Sequence, residues 1–381
     1  MRITAQLINA VTGFHLWSQT YDRDLRHILA LQIEIASAVT KALQATLLGD
    51  SSAAIELGGT QNPLAFDAYL KGQKFEGQKF AGTAPDKEAR LKQIAAYSEA
   101  VRLDPRYAKA YAANSIALSD FAGNAATGPA IRKGFEGARA AAEKALALAP
   151  QLGEAHAAFA AVLDEGFADY ARAAVEYDRA LALSPGSALV LRLSARFFVA
   201  VGRSETAVAT AQRAVVLDPL NVGAHRALGG ILHSARRDRE AIEAYNRALS
   251  LEPHAGEVPA LRGLAYLSLG QFEAARESCA TPPLDWENNL CLAVVYHKLN
   301  RQSDAGAVLA ALIAASGDDG AFQYAQIYAQ WGNNSKALEW LETAYRTHDL
   351  GLVDLKVEPL LDPLRQEPRF KEIERKLKFP T

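Results

Sequence analysis

Arg192, Arg196 and Arg226 are the residues whose spacing most invites a chemical reading. Arg192 and Arg196 stand four apart, on one face of any helix that holds them, and Arg226 follows Arg192 by 34 residues. Three forked guanidinium groups in a row would suit an acidic peptide or a terminal carboxylate. The alternative is that they are solvated charges pairing with local Glu.

Other chemistry is harder to find. The chain contains no GxxxxGK(S/T), GxGxxG, HExxH or GxSxG, the patterns that cradle phosphates and dinucleotides or build zinc-protease and hydrolase sites. Among 8 histidines, His225 and His233 are the closest helical pair, and two helical turns are too many for one metal on a single face. Asp164-Glu165 and Asp318-Asp319 are adjacent carboxylates, which point apart and cannot act as a matched acid and base, so both read as solvated turns. Cys279 and Cys291 lack CxxC spacing and are expected as free, buried thiols in a reducing compartment. The expectation is no catalytic residue, no cofactor and no metal.

The 381 residues are 50% hydrophobic and 22% charged, enough to bury a core. A net charge of −2 argues against a nucleic-acid or membrane-surface binder, since both partners demand a sustained excess of Lys and Arg. The first 25 residues hold Arg2, His15, Asp22 and Asp24 and no apolar signal core. No uncharged apolar run approaches the roughly 20 residues of a membrane span. The chain reads as cytoplasmic.

The pattern Ala-(Leu/Val)-x-Leu-x-Pro, which must position these residues, occurs at 100–105, 145–150, 180–185, 214–219 and 248–253. Its prolines are separated by 45, 35, 34 and 34 residues. Small Ala lets two helices approach closely, Leu fills the shared core, and Pro ends the helix and can open the next. Tyr97, Tyr177 and Tyr245 stand eight residues before their prolines, with Ala173 and Ala241 four residues before the last two tyrosines.

On these residues, with Leu228-Gly229, Ala241, Tyr245, Ala248 and Pro253 at its signature positions, the chain resembles the tetratricopeptide-repeat family. Tyr266, Leu269-Gly270, Phe272 and Ala275 fit it too. Arg236 departs from it where Gly is usual between helices, and Ala160-Ala161 replaces Leu-Gly. The resemblance implies an all-α, right-handed superhelical solenoid of about eight helix pairs over 63–350. Further pairs are expected at 254–284, 285–316 and 317–350, with turns at Asn300-Arg301 and Gly332-Asn333. The 11 extra residues around 123–129 are expected as a loop projecting from one edge.

Residues 1–48 leave the repeat. Ile3, Ala5 and Leu7 alternate with polar residues, Asn9 to Gly13 offers a turn, Phe14 to Tyr21 suits a second strand, and 25–48 has helical periodicity. This β-β-α stretch, with Leu16-Trp17 through Tyr21-Asp22-Arg23-Asp24-Leu25, resembles the end of the TolB-amino-terminal-like α/β module. That resemblance implies a bacterial signalling parent of class III nucleotidyl cyclase or winged-helix regulator type. Residues 49–62 read as a linker, and 351–381 as a capping segment ending in a helix from Pro368 to Leu377.

Counted from the signature prolines, Lys109, Glu165, Arg192, Arg196, Arg226 and His233 fall on the groove-facing side of the first helices. The sequence therefore predicts a scaffold that binds a protein or an acidic peptide in its groove, without catalysis, nucleic acid or membrane.

Overall fold

The computed structural model describes residues 2–8, 15–22, 31–32, 34–35, 38, 57–78, 86–124, 126, 128–282 and 284–380. Within them, β1 (Arg2–Ile8) pairs antiparallel with β2 (His15–Asp22), Arg2 opposite Asp22 and Leu7 opposite Trp17. The expected turn at Asn9 to Gly13 lies outside the described residues, as does most of the helix expected over 25–48. Leu31, Gln32, Glu34, Ile35 and Ala38 of that stretch are helical.

Eight helix pairs follow. They are α1 (Pro63–Gln78) with α2 (Asp86–Leu103), α3 (Ala108–Asn124) with α4 (Pro129–Leu148), and α5 (Gly153–Ala161) with α6 (Tyr170–Leu183). Then come α7 (Ala188–Ala200) with α8 (Ser204–Leu217), α9 (Val222–Ser234) with α10 (Asp238–Leu251), and α11 (Val258–Ser268) with α12 (Phe272–Cys279). The last are α13 (Trp286–Lys298) with α14 (Gln302–Ser316), and α15 (Ala321–Gln330) with α16 (Asn334–Thr347). A single π-helical turn, Val162–Gly166, extends α5.

The hexapeptide does what its residue types require. Ala100, Ala145, Ala180, Ala214 and Ala248 are all at most 2% exposed, so a larger side chain there would push helices apart. Tyr97, Tyr177 and Tyr245 are buried beside them, and Gly229 on α9 lies under the Tyr245 ring, where an added Cβ would meet Cε1 at 2.5 Å. The prolines sit two residues beyond the helix ends, in the turn, and each next helix begins three to five residues later, so they do not open it as expected.

Within units, one left-handed residue reverses the chain between the two helices. Ala168, Gly202, Arg236 and Gly270 occupy it at intervals of 34, followed by Asn300 and Gly332. From Gly202 onward the next residue's amide bonds back five residues, as in Arg203 N to the Phe198 carbonyl at 2.7 Å, which satisfies the last carbonyls of the first helix.

Two expectations are corrected. Most of the insertion is helix: α3 and α4 are 17 and 20 residues long against 13 and 14 in α7 and α8, and residues 125 and 127 of the expected loop lie outside the described residues. Its Ala-rich, amphipathic sequence extends both helices, with Phe135 and Ala138 buried. The cysteines are not free thiols. Cys279 and Cys291 are disulfide-bonded with Cα atoms 6.1 Å apart, and Gly263 makes room for both sulfurs. The cysteine argument for a reducing compartment falls with them.

The stretch Gln302–Gln330 is long and apolar enough by composition to cross a membrane. Here it is divided by a 3-10 turn, Gly317–Gly320, into α14 and α15, which belong to different helix pairs.

After α16 the chain forms two 3-10 turns, Leu350–Asp354 and Pro359–Leu364, and ends in α17 (Pro368–Leu377). Leu352, Leu355, Leu361, Leu364, Phe370 and Ile373 join Phe322, Leu338 and Leu341 in one core, covering the apolar face of the last pair. The segment also crosses back over earlier units, as its contacts below show.

Candidate functional site

The first helices of the units bring their charged side chains to the inner face. Arg192 on α7 meets Glu76 on α1 at 3.6 Å, although two whole units separate them in sequence. Arg196, one turn further, lies 3.5 Å from Glu165 on the π turn and 3.4 Å from Asp354 of the C-terminal segment. Arg226 on α9 holds Glu257, the residue that opens α11, at 2.7 Å. On the same side Arg90 pairs with Asp120.

Each of the three arginines has a carboxylate partner, which is the alternative the sequence left open beside an acidic-peptide site. Of the three other predicted groove residues, Glu165 pairs with Arg196, while Lys109 and His233 behave differently. Lys109 begins α3 half-buried, and burial lowers its ammonium pKa while Glu154 opposes that. His233 is buried and bonds through Nδ1 to Asp238 Oδ1 at 2.5 Å across the turn, so it is a packing residue inside its own unit.

Asp164 departs furthest from expectation. It is 4% exposed on the π turn, not a solvated turn residue, because the extra residue of that turn rotates it toward α6. Tyr177 OH donates to Oδ2 at 3.4 Å, and Oδ1 has no hydrogen-bond partner. Burial, and then the charge of Glu165, pushes its carboxyl well above the usual range. Glu165 is also raised by burial, with Arg196 opposing.

A second carboxyl group was missed by sequence reasoning. Glu287 on α13 is buried, and burial followed by the charge of Glu257 raises it well above the usual range. Glu257 is half-buried, which would raise its carboxyl, yet Arg226 and a hydrogen bond from Glu287 hold it below its ordinary value. No periodic signal marks these acids, since Glu257 and Glu287 sit at helix starts and Asp354 beyond the repeats.

The C-terminal segment closes this face. Arg236 donates to Asp362 at 2.6 and 3.2 Å and to the Val357 carbonyl at 2.7 Å. Lys356 Nζ donates to the Val201 carbonyl at 3.0 Å, beside Gly202. Phe379 stacks on Tyr170 with centroids 4.7 Å apart. By contrast, a cleft of about 460 Å³ between α16 and α17 lies away from these groups, and the Arg369–Glu342 pair at its wall, 2.8 Å, satisfies its charges.

Among the described residues no group of three or more His, Cys, Asp or Glu is arranged to hold a metal. The inner face offers arginine–carboxylate pairs with a surplus of carboxyls, which is the chemistry of docking and charge recognition.

No family model matches the chain. A Rhizobium meliloti (strain 1021) protein named as an adenylate cyclase is 33% identical over 122 residues, 32% of this chain and 20% of that protein. A small glutamine-rich tetratricopeptide repeat-containing protein of Mycosarcoma maydis is 33% identical over 85 residues, 22% of this chain and 24% of that protein. The chain thus spans about a fifth to a quarter of the curated relatives it matches. Among solved structures, a human IFIT1 dimer with m7Gppp-AAAA aligns over 84% of this chain and 77% of its own, at 16% identity and a TM-score of 0.52, a likeness of fold alone. Proline-ended repeats, eight stacked helix pairs and these neighbours together give the chain the fold of a tetratricopeptide-type solenoid preceded by a β-hairpin.

Proposed function

We propose that the chain is a docking scaffold without catalytic activity of its own, binding protein or peptide partners along the inner face of its superhelix. The carrying observation is the Arg192–Glu76 pair at 3.6 Å, which joins units 4 and 1. Inner faces of non-neighbouring units converge to within one ion pair, so a segment laid along them would meet side chains from several units at once. The solenoid fold of its neighbours supports the same reading.

Selection of displayed random peptides on the intact chain tests it. Enriched peptides should lose affinity when Glu165→Gln and Arg226→Gln are combined, and should ignore Glu143→Gln on α4, which is exposed. Peptides indifferent to the inner-face variant would overturn the proposal. So would binding of a capped oligoadenylate with no peptide enriched.

A second reading is favoured by the 33% identity over 122 residues to the Rhizobium meliloti protein. In it the array is the docking arm of a nucleotidyl cyclase or related regulator. Sequencing the gene upstream of the Met1 codon tests this: an in-frame cyclase or winged-helix domain supports it, and an immediate stop codon contradicts it.

A further inference from the structure

The segment that follows α16 is held in two different ways. Toward unit 8, Leu352, Leu355, Leu361 and Leu364 are at most 5% exposed in one core with Phe322, Leu338 and Leu341, and Gln330 donates to the Leu360 carbonyl at 2.8 Å. Toward units 3–5 it is held mainly by charge. Arg196 lies 3.4 Å from Asp354, Lys356 Nζ donates to the Val201 carbonyl at 3.0 Å, and Arg236 donates to the Val357 carbonyl and to both Asp362 carboxylate oxygens. The side chains of these two ion pairs are 32–51% exposed. Val353, in the core of the middle units, and Phe379, stacked on Tyr170, are the apolar exceptions.

The contacts also recur at one place in the repeat. Ala168, Gly202 and Arg236 are the left-handed residues that reverse the chain within units 3, 4 and 5. Tyr170 follows the first by two residues, Val201 precedes the second, and Arg236 is the third, so one strap crosses the same edge of three successive units. Within the array, helices meet through buried Ala and Tyr, whereas this strap and the Arg192–Glu76 pair join units distant in sequence through partly exposed charges. Exposed ion pairs are weak and screened by salt, while burial of apolar surface does not depend on charge. Opening of the superhelix would therefore break the contacts to units 3–5 and leave the strap on unit 8.

From this asymmetry we propose that residues 354–362 form a charge-held clasp on the superhelix. Seated, the clasp ties unit 8 to units 3–5 and holds Asp354 against Arg196, beside Glu165. Released, it lets unit 8 move away from units 3–5 and exposes those groups on the inner face. Arg236 from unit 5 and Lys356 from the strap each reach across to the other side, so both sides supply a cation to the closure. The clasp gates the surface of the docking reading, and in that use rests on it, but its opening and closing need no partner.

Two readouts on the full chain test the clasp, neither using a partner, so the docking reading can fail while the clasp stands. The first is resonance energy transfer between dyes on clickable residues at the exposed positions Gln212 of α8 and Lys371 of α17, which leaves the native cysteines untouched. Transfer should fall as salt rises from about 0.01 M to about 1 M, where the screening length drops from about 30 Å to about 3 Å. Arg236→Gln combined with Lys356→Gln should show the lower transfer already at low salt, and Arg237→Gln, which breaks a pair within unit 5, should behave as wild type. The second is carbodiimide labelling of carboxyls at low salt, read by mass spectrometry: Glu165 and Asp354 should label faster in the double variant, and the exposed Glu143 at an unchanged rate. Circular dichroism shows whether the double variant is folded; if it is not, the salt response of the wild-type chain decides. Transfer that ignores salt, a double variant indistinguishable from wild type, an equal fall in Arg237→Gln, or lower transfer with unchanged labelling of Glu165 and Asp354 would each overturn the proposal.

Discussion

The guanidinium of Arg236 grips Asp362 across 126 residues of chain, Nη2 donating to Oδ1 at 2.6 Å and Nε to Oδ2 at 3.2 Å. The same residue holds φ at 64°, a left-handed conformation that the equivalent turns give to Gly202 and Gly270. Side-chain anchoring thus offsets a backbone cost of about 1–2 kcal/mol, and it explains an Arg where the repeat pattern favours Gly. Asp362 is also held by Arg365 at 2.6 Å, so the C-terminal segment reaches unit 5 through a small network.

Arg236→Gly and Arg236→Ala separate the two roles. Both lose the fork, but only Gly relieves the backbone, so Arg236→Ala should be less stable by about 1 kcal/mol in urea denaturation. Both should speed amide exchange over 354–364. An alanine variant at least as stable as the glycine variant would contradict the assignment.

Gly229→Ala places a methyl group against the Tyr245 ring, with carbon atoms 2.5 Å apart before relaxation. Overpacking of that kind should cost about 1–3 kcal/mol. Gly306→Ala is the counterpart, in an exposed helix interior with open space around it, and should gain up to about 1 kcal/mol. Thermal denaturation monitored by circular dichroism compares them, and equal shifts would show that the Gly229 contact is not tight.

Asp164 fixes the sign of a pH effect. Burial raises its folded pKa above the unfolded value of about 3.9, so the native state keeps its proton where the unfolded chain has released it. Its stabilising contribution is full below about pH 4 and is lost as pH rises through the folded pKa. Asp164→Asn should therefore be more stable than wild type at pH 7 and should flatten the slope of stability between pH 4 and the neutral range. Glu287, raised for the same cause, should act in the same sense in Glu287→Gln. Parallel stability–pH curves for wild type and Asp164→Asn would refute this.

The Cys279–Cys291 bond closes a short loop, with a sequence separation of 12. Thiol titration of the unreduced chain in denaturant should find no free thiol, and reduction should expose two. By the chain-entropy estimate, reduction should destabilise units 6 and 7 by about 3 kcal/mol. Two titratable thiols before reduction would show that the pair is open in solution.

The repeat was legible because it is enforced locally: Ala248, Tyr245 and Gly229 must be small or large where they are for helices to meet. The three late pairs were legible for the same reason, although they lack the proline. The site was legible by half. Arg192 and Arg226 lie on the 34-residue period, and Arg196 stands one turn beyond Arg192. Glu76, Glu257 and Asp354, which neutralise them, are brought in by superhelix curvature and by the returning C-terminal segment, neither of which leaves a local pattern. Asp164 looked like a surface acid because the added residue of a π turn, which turns it inward, leaves no mark in an Ala-rich helix.

Hydrogen–deuterium exchange of the full chain, with and without a selected peptide partner, tests the docking account most directly. It predicts slower exchange in the first helices α5, α7, α9 and α11 and in the returning segment 350–364, with α6, α8 and α10 unchanged. Protection confined to α6, α8 and α10, or none anywhere on a bound chain, would contradict it.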